Sequence, residues 1–114
     1  MSTWSKGSKV EKLRREQLEH EGWLVQTWPK IKFGEQDLFG AFDLIAKKLG
    51  VTRYEQVKST KGRMPGMTVE TIKNMQEAWK HSCDHDEFYW VGYNTTTKEW
   101  RMRRILDPYV IGKI

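Results

Sequence analysis

The sequence predicts an α/β domain in which helices flank a central mixed β-sheet. Apolar residues recur with helical spacing in two segments, and five short runs rich in aromatic or β-branched residues read as strands. The segments follow one another as helix, strand, loop, strand, strand, helix, strand, strand, an order typical of this class. At 114 residues the chain has the size of one domain, so we predict a single domain over residues 1–114.

The composition favours a polyanionic partner. The net charge is +5 and the pI is about 9.4, which favours nucleic acid first and an anionic membrane surface second. A single cysteine, Cys83, excludes an internal disulfide. No apolar run is long enough to span a bilayer, and the N-terminus lacks the apolar core of a signal peptide. We therefore expect a soluble intracellular protein, cytoplasmic in an archaeal, bacterial or viral host cell, with no membrane partner.

The first predicted helix covers residues 10–21 and follows an irregular segment over residues 1–8. Its inner stripe is formed by Val10, Leu13 and Leu18. Arg14 falls inside this stripe and is an exception to the pattern. Glu11 lies at the edge of the stripe, where it either serves a nearby site or interacts with the helix dipole as a first-turn acid.

The other elements follow in order. Strands are predicted over residues 22–28, 42–46, 53–59, 88–93 and 100–106. A second helix, capped by Thr68, runs to about residue 81 with one apolar face: Val69, Ile72, Met75, Gln76 and Trp79. Residues 30–39 form an exposed loop. The six tryptophans favour packing in the core or in a dimer interface over base stacking.

The chemically informative residues lie in the central strand pair. Asp43 is a carboxylate inside an apolar run, and its burial is unfavourable unless another group compensates the charge. On the next strand, alternation places Gln56 and Lys58 on one face. A divalent cation would compensate Asp43, and a phosphate would compensate Lys58.

These residue types match the needs of phosphodiester hydrolysis. That reaction uses a divalent cation, oxygen ligands that hold it, and a cationic side chain that orients the attacking water. Asp43 and Gln56 supply the oxygen ligands, and Lys58 supplies the cationic side chain. Glu11 supplies a further acid that reaches the metal directly or through a water.

Three motifs occur in a fixed order along the chain: Lys6-Gly-Ser-Lys-Val-Glu11, Gly40-Ala-Phe-Asp43-Leu-Ile-Ala and Gln56-Val-Lys58-Ser. A helix and a terminal hairpin with a late tryptophan follow them. In this arrangement the chain resembles the PD-(D/E)XK nuclease superfamily and, within it, the archaeal-type Holliday junction resolvases. The resemblance implies a restriction-endonuclease-like fold, a homodimer, Mg²⁺ or alternatively Mn²⁺ with no small-molecule cofactor, and paired nicks in four-way DNA junctions.

Two positions depart from the family pattern. Gln56 stands where an acid usually precedes the lysine, and the adjacent Glu55 faces the opposite side of the strand. A neutral amide can still bind Mg²⁺, as the Gln-x-Lys variant of Mrr-like nucleases implies, but we expect weaker metal binding. The loop over residues 30–39 also lacks the serine that these resolvases usually carry.

Basic residues near the predicted site are candidate phosphate contacts: Lys6, Lys9, Lys30, Lys32, Lys61, Arg63, Arg101 and Arg103. Phosphate contact is the favoured interpretation for Lys61 and Arg63, which follow the Lys58 strand on a glycine-containing loop. For Arg101 and Arg103 an edge strand charged only against aggregation is an equally good interpretation.

We interpret the chain as a Mg²⁺-dependent, structure-selective DNA endonuclease, most specifically a Holliday junction resolvase. Its predicted catalytic residues are Glu11, Asp43, Gln56 and Lys58, and its predicted metal ligands are Asp43, Gln56 and Glu11. One alternative is a non-catalytic DNA-binding module on a decayed nuclease fold, with Gln56 as the mark of decay. The other is a repair or Mrr-type nuclease that cuts other duplex or branched DNA.

Overall fold

The computed structural model describes residues 3–27, 39, 41–62 and 66–109, with side chains from residue 9 onward in the first helix. Within these residues the elements are α1 (Thr3–His20), β1 (Leu24–Thr27), β2 (Leu44–Lys48), β3 (Val51–Thr60), α2 (Val69–Lys80), β4 (Asp86–Asn94) and β5 (Glu99–Ile105). The predicted order of helices and strands is confirmed. None of the described helices is long and apolar enough to cross a membrane.

The strands form one sheet in the order β1-β2-β3-β4-β5. All neighbours pair antiparallel except β3 and β4, which pair parallel. A parallel pair needs a crossover connection, and α2 lies in the one between these strands. The predicted mixed sheet is therefore confirmed.

The two helices pack on opposite faces of this sheet. The face under α1, here the α1 face, has its buried apolar side chains at Val25, Leu44, Ala46, Val57 and Val91. The face under α2, here the α2 face, has its own at Phe88, Trp90 and Ile105, which pack with Met75 of the helix. Central strands therefore supply buried residues to both faces, as expected when helices cover a sheet on both sides.

Helix α1 differs from its prediction in two respects. It begins at Thr3 and so includes residues that were expected to be irregular. Leu13 is 46% exposed, whereas Arg14 is only 3% exposed. The buried stripe is formed by Val10, Arg14 and Leu18 at intervals of four residues. The prediction for Leu13 was wrong because Arg14 has an ionic partner under the helix and takes the inner position.

Helix α2 follows its prediction except at its start. The Thr68 side chain caps it by accepting a hydrogen bond from Thr71 N at 3.1 Å. Met75 is fully buried, and the Trp79 ring packs on Phe88 with centroids 5.3 Å apart. Val69 is 69% exposed, so its predicted place on the inner face was wrong. Burial along this helix begins two residues later.

The hairpin between β2 and β3 turns at Leu49 and Gly50, which have φ angles of 50° and 87°. Positive φ at both central residues is the geometry of a two-residue type I′ turn. Lys48 pairs with Val51 directly across it, so β2 extends two residues beyond the predicted end of this strand at residue 46. The tight turn fixes the register of the strand pair that carries the candidate site.

Candidate functional site

Asp43 lies at a β-bulge immediately before β2. Its backbone N donates to Glu55 O at 2.8 Å, although Glu55 is already paired with Leu44. Two successive residues of one strand thus face one residue of β3, which is the pattern of a bulge. Beyond the bulge, the Phe42 ring packs against Tyr54 on the α2 face, with centroids 5.4 Å apart. The bulge shifts the alternation of side chains and sets the direction of Asp43.

The Asp43 carboxylate is only 4% exposed. Its Oδ2 accepts a hydrogen bond from Val57 N at 2.8 Å. Along β3, the backbone groups of alternate residues point to the same neighbouring strand. The N–H of Val57 therefore points to the same side as the C=O of Glu55, toward the residues that precede β2. The side chain of Asp43 therefore takes the place of a strand carbonyl and is fixed beside the residue between Gln56 and Lys58.

Gln56 and Lys58 lie on the α2 face with Tyr54, as alternation predicted. Gln56 is 3% exposed, whereas Lys58 is exposed. The hydrogen-bonding pattern assigns the Gln56 amide with its nitrogen donating to Ala41 O and its oxygen accepting from Lys58 Nζ at 3.2 Å. Gln56 thus joins the segment before Asp43 to the lysine. The structure brings these three residues together, and their catalytic roles stay predictions.

Glu11 is half-buried on α1. Its neighbour Val10 belongs to the same buried cluster as Leu44 and Val57, so this turn of the helix lies over the strand residues that flank the bulge. Lys58 lies on the face of the sheet opposite to this turn of the helix. The role of Glu11 as a further acid stays a prediction.

The donor set suits a weakly held Mg²⁺. Among the described residues, no three His, Cys, Asp or Glu side chains gather into a metal-binding group. A cation at this site would therefore have at most two carboxylates from the described residues, Asp43 and the predicted Glu11, with the Gln56 amide as the predicted neutral ligand. Mg²⁺ accepts one or two carboxylates and keeps several waters, so the residues fit it. An amide oxygen has a second lone pair, which leaves Gln56 able to bind both Lys58 and a cation.

Glu55 has no part in this donor set. It is fully buried on the α1 face, where it forms ion pairs with Arg14 and Arg53 at 2.7 Å each. The prediction that Glu55 faces the side of the strand opposite to Gln56 is thereby confirmed. Sequence reasoning missed the ion pairs, although Arg14 inside an apolar stripe and an acid on a buried strand face together indicated them.

The basic residues on β5 line up with the site. Register places Lys58 opposite Gly92, and Gly92 opposite Arg101, in one row across the α2 face. Arg103 lies in the next row, and both arginines are exposed. Lys9 and Lys61 are also exposed. Four predicted contacts have side chains outside the described residues: Lys6, Lys30, Lys32 and Arg63.

An aromatic recess borders the site on the other side. It has a volume of about 360 Å³ and is lined by residues that include Phe39, Phe42, Tyr54 and Phe88. Burial, with a smaller contribution from the Asp86 carboxylate, raises the pKa of Tyr54 above its ordinary value, so this phenol is neutral at pH 7. The site thus has an apolar border before Gln56 and a basic border beyond Lys58.

The architecture is similar to that of a solved DNA-processing enzyme. The 1.6 Å structure of Archaeoglobus fulgidus Hjc, a Holliday junction resolvase from an archaeal hyperthermophile, matches with a TM-score of 0.65 and 14% sequence identity. The match covers 86% of this chain and 76% of that chain. The chain has the restriction-endonuclease-like fold of Hjc. The predicted fold class is confirmed. No family model matches the chain, and a search of curated proteins gives no significant match.

Proposed function

We propose that this protein is a metal-dependent, structure-selective DNA endonuclease that resolves four-way junctions by paired nicks. The observation that carries the proposal is the meeting of Asp43, Gln56 and Lys58 at the bulge between β2 and β3. These groups lie on a fold similar to that of a Holliday junction resolvase. Because a fold alone does not determine an activity, the three side chains are the main support for the proposed cleavage reaction.

Each residue has a distinct role in this proposal. Asp43 and Gln56 hold Mg²⁺, or alternatively Mn²⁺, and Glu11 adds an acid beside it. When bound, the metal would polarise the scissile phosphate and make a coordinated water more acidic. The Lys58 amine, held by the Gln56 oxygen, orients the attacking water and offsets the charge that develops on the phosphate.

The DNA backbone crosses the α2 face along the basic row. Register places Lys58 and Arg101 on either side of Gly92 in this row, and both basic side chains are exposed to solvent. The exposed Arg101 of this row and Arg103 of the next row are suited to phosphate contacts that orient the duplex without reading its sequence. Two symmetric nicks in one junction need two sites, so we include a homodimer in the proposal. Its DNA substrate and single cysteine fit an intracellular enzyme.

A cleavage assay on end-labelled DNA tests the proposal. Wild type, Lys58→Ala and Lys80→Ala are each given a four-way junction and a matched linear duplex, with Mg²⁺ or with EDTA. Lys80 pairs with Glu77 on the surface of α2, so its removal changes the net charge equally and serves as the matched control. We expect symmetric Mg²⁺-dependent nicks in the junction, reduced at least about 100-fold by Lys58→Ala alone. Normal cutting by Lys58→Ala would refute the site.

One observation favours a second candidate, a DNA-binding module without turnover. The Gln56 amide already has a partner on each side, in Ala41 O and Lys58 Nζ, and is satisfied without a metal. In the same assay this candidate predicts a salt-sensitive shift of the junction with no product in Mg²⁺ or Mn²⁺. Cutting of both substrates would instead indicate a nuclease of the repair or Mrr type.

A further inference from the structure

Two arginines and one glutamate form a buried ionic triad on the α1 face. Arg14 of α1 donates from Nε to Glu55 Oε1 at 2.7 Å and from Nη2 to Oε2 at 2.9 Å. Arg53 of β3 places its Nε 2.7 Å from Oε2, where the contact is an ion pair without an aligned hydrogen bond. The side chains of Arg14, Glu55 and Arg53 are 3%, 0% and 9% exposed.

Side chains from β4 and β5 hold the two guanidinium groups from the outside. The Cζ of Arg53 lies 3.8 Å from the ring centroid of Tyr89, and that of Arg14 lies 5.6 Å from the ring centroid of Trp100. The Sδ of Met102 accepts from Nη2 of Arg14 at 2.9 Å and from Nη2 of Arg53 at 3.3 Å. Aromatic faces suit guanidinium planes, so each arginine is restricted to one orientation.

A contribution to the free energy of unfolding does not by itself explain why these three charged side chains are buried together. Replacing a buried ion pair by apolar residues of similar volume is often neutral or stabilising, because desolvating the charges offsets their attraction. The apolar contacts of Val10 and Leu18 would hold α1 on the sheet without fixing how far it slides, since apolar attraction has no direction. A guanidinium that donates two hydrogen bonds to one carboxylate has a defined geometry. The Arg14–Glu55 pair therefore fixes the position of α1 along β3.

That position determines where Glu11 lies. Helix α1 runs antiparallel to β3. Arg14 binds Glu55 in the middle of β3. Further along the chain, Glu21 O accepts a hydrogen bond at 2.7 Å from the Nζ of Lys48, which pairs with Val51 at the start of β3. Three residues of helix rise about 4.5 Å, and one strand residue spans about 3.3 Å. One turn before Arg14, Glu11 is therefore level with the Gln56–Val57 peptide, next to which the Asp43 carboxylate is fixed.

We propose that Arg14 and Glu55 are positioning residues, which hold α1 where Glu11 reaches the cluster of Asp43, Gln56 and Lys58. This inference rests on the proposed function and names a device within the same site. It divides the tasks of two adjacent residues of β3. Glu55 holds the helix from one face of the strand, and Gln56 holds the lysine on the other.

The test compares Arg14→Met in the wild-type and Glu11→Ala backgrounds. Removal of Arg14 leaves a neutral Arg53–Glu55 pair, so the variant is expected to fold, and Arg14→Lys is the milder second variant. We expect Arg14→Met to lower kcat for junction cleavage about tenfold or more with KM unchanged, since small displacements of reacting groups have large effects. In the Glu11→Ala background the same change has no further effect. Arg15→Met, whose side chain is 42% exposed, is the matched control and leaves kcat unchanged.

Mn²⁺ binding, measured by calorimetry on the same variants, gives a readout that does not need turnover. Arg14→Met is expected to weaken Mn²⁺ binding only where Glu11 is present, and Arg14→Lys to restore part of it. Equal losses in both backgrounds, in kcat or in Mn²⁺ affinity, would overturn the proposal, because a purely structural role acts without Glu11. If wild type binds Mn²⁺ but cuts no DNA, the proposed function fails, and the binding comparison still decides the positioning role.

Discussion

Glu55 and Gln56 are neighbours on β3, yet they meet opposite surroundings. On the α1 face, Glu55 is fully buried, and both of its oxygens face arginines. On the α2 face, Gln56 contacts a backbone carbonyl and the exposed Lys58. The charged residue thus lies on the closed side, where cations compensate it, and the neutral residue lies on the side that opens to solvent. We call the α1 face, where Glu55 is fixed by two arginines, the closed side of the sheet. We call the α2 face, where Lys58 is accessible to a substrate, the open side.

The largest effect that we expect is the loss of stability when Glu55 is removed from the closed side. Glu55→Ala leaves two buried guanidinium groups without their carboxylate, which we expect to lower the free energy of unfolding by about 3–5 kcal/mol. Lys58→Ala, on the open side, removes an exposed side chain and is expected to change it by less than about 0.5 kcal/mol. Urea unfolding followed by circular dichroism measures both.

The control for this comparison is Glu19→Ala. Glu19 pairs with Arg15 at 3.3 Å, but both side chains are more than two-fifths exposed, so its loss is expected to lower the free energy by less than about 1 kcal/mol. If Glu55→Ala is no more destabilising than Glu19→Ala, the Glu55 carboxylate does not compensate the two buried guanidinium groups of Arg14 and Arg53.

The same contrast explains what the sequence could predict. Alternation along β3 correctly separated Gln56 and Lys58 from Glu55, because the side-chain period of a strand is a local property. The order of the strands and the helices also followed from local patterns. Arg14 was different: a residue-by-residue pattern treats an arginine in an apolar stripe as a defect, since its partner is 41 residues away.

The bulge at Asp43 was also beyond prediction. Its residues look like an unbroken apolar strand, and the shift depends on how β2 pairs with β3 at Glu55. Pairing between strands is a tertiary property, so the sequence predicted the presence of Asp43 near Gln56 but not its hydrogen bond to Val57. The exposed Val69 has a similar cause, because helical periodicity does not say where the sheet under a helix ends.

We expect a smaller effect on stability when the neutral Gln56 on the open side is replaced by a charged glutamate. In Gln56→Glu the amide N–H that donates to Ala41 O is replaced by a carboxylate oxygen, which repels that carbonyl. Without metal we expect the variant to be about 1–3 kcal/mol less stable than wild type. A second carboxylate near Asp43 attracts Mg²⁺, so we expect about tenfold tighter binding, worth about 1.4 kcal/mol.

Thermal unfolding across a Mg²⁺ titration separates the two terms. A ligand that binds only the folded state raises the midpoint more when it binds more tightly, so the variant gains more per addition than wild type does. The matched control is Gln76→Glu, whose side chain lies on α2 and donates to Pro108 O at 3.2 Å. An equal Mg²⁺ response in wild type and Gln56→Glu contradicts the placement of a cation beside this residue.

The smallest expected effect tests whether DNA uses the open side alone. Arg103 and Arg104 are adjacent on β5 and both exposed, but Arg103 lies in the row of Gln56, and Arg104 points to the α1 face, 3.6 Å from Glu87. A phosphate contact contributes about one unit to the slope of log K against log salt concentration. Arg103→Ala is therefore expected to reduce that slope by about 1 for a four-way junction in EDTA, and Arg104→Ala to leave it unchanged. Equal reductions of the slope by the two variants would mean that the DNA backbone contacts both faces of β5. The division of the sheet into a closed and an open side would then not extend to β5.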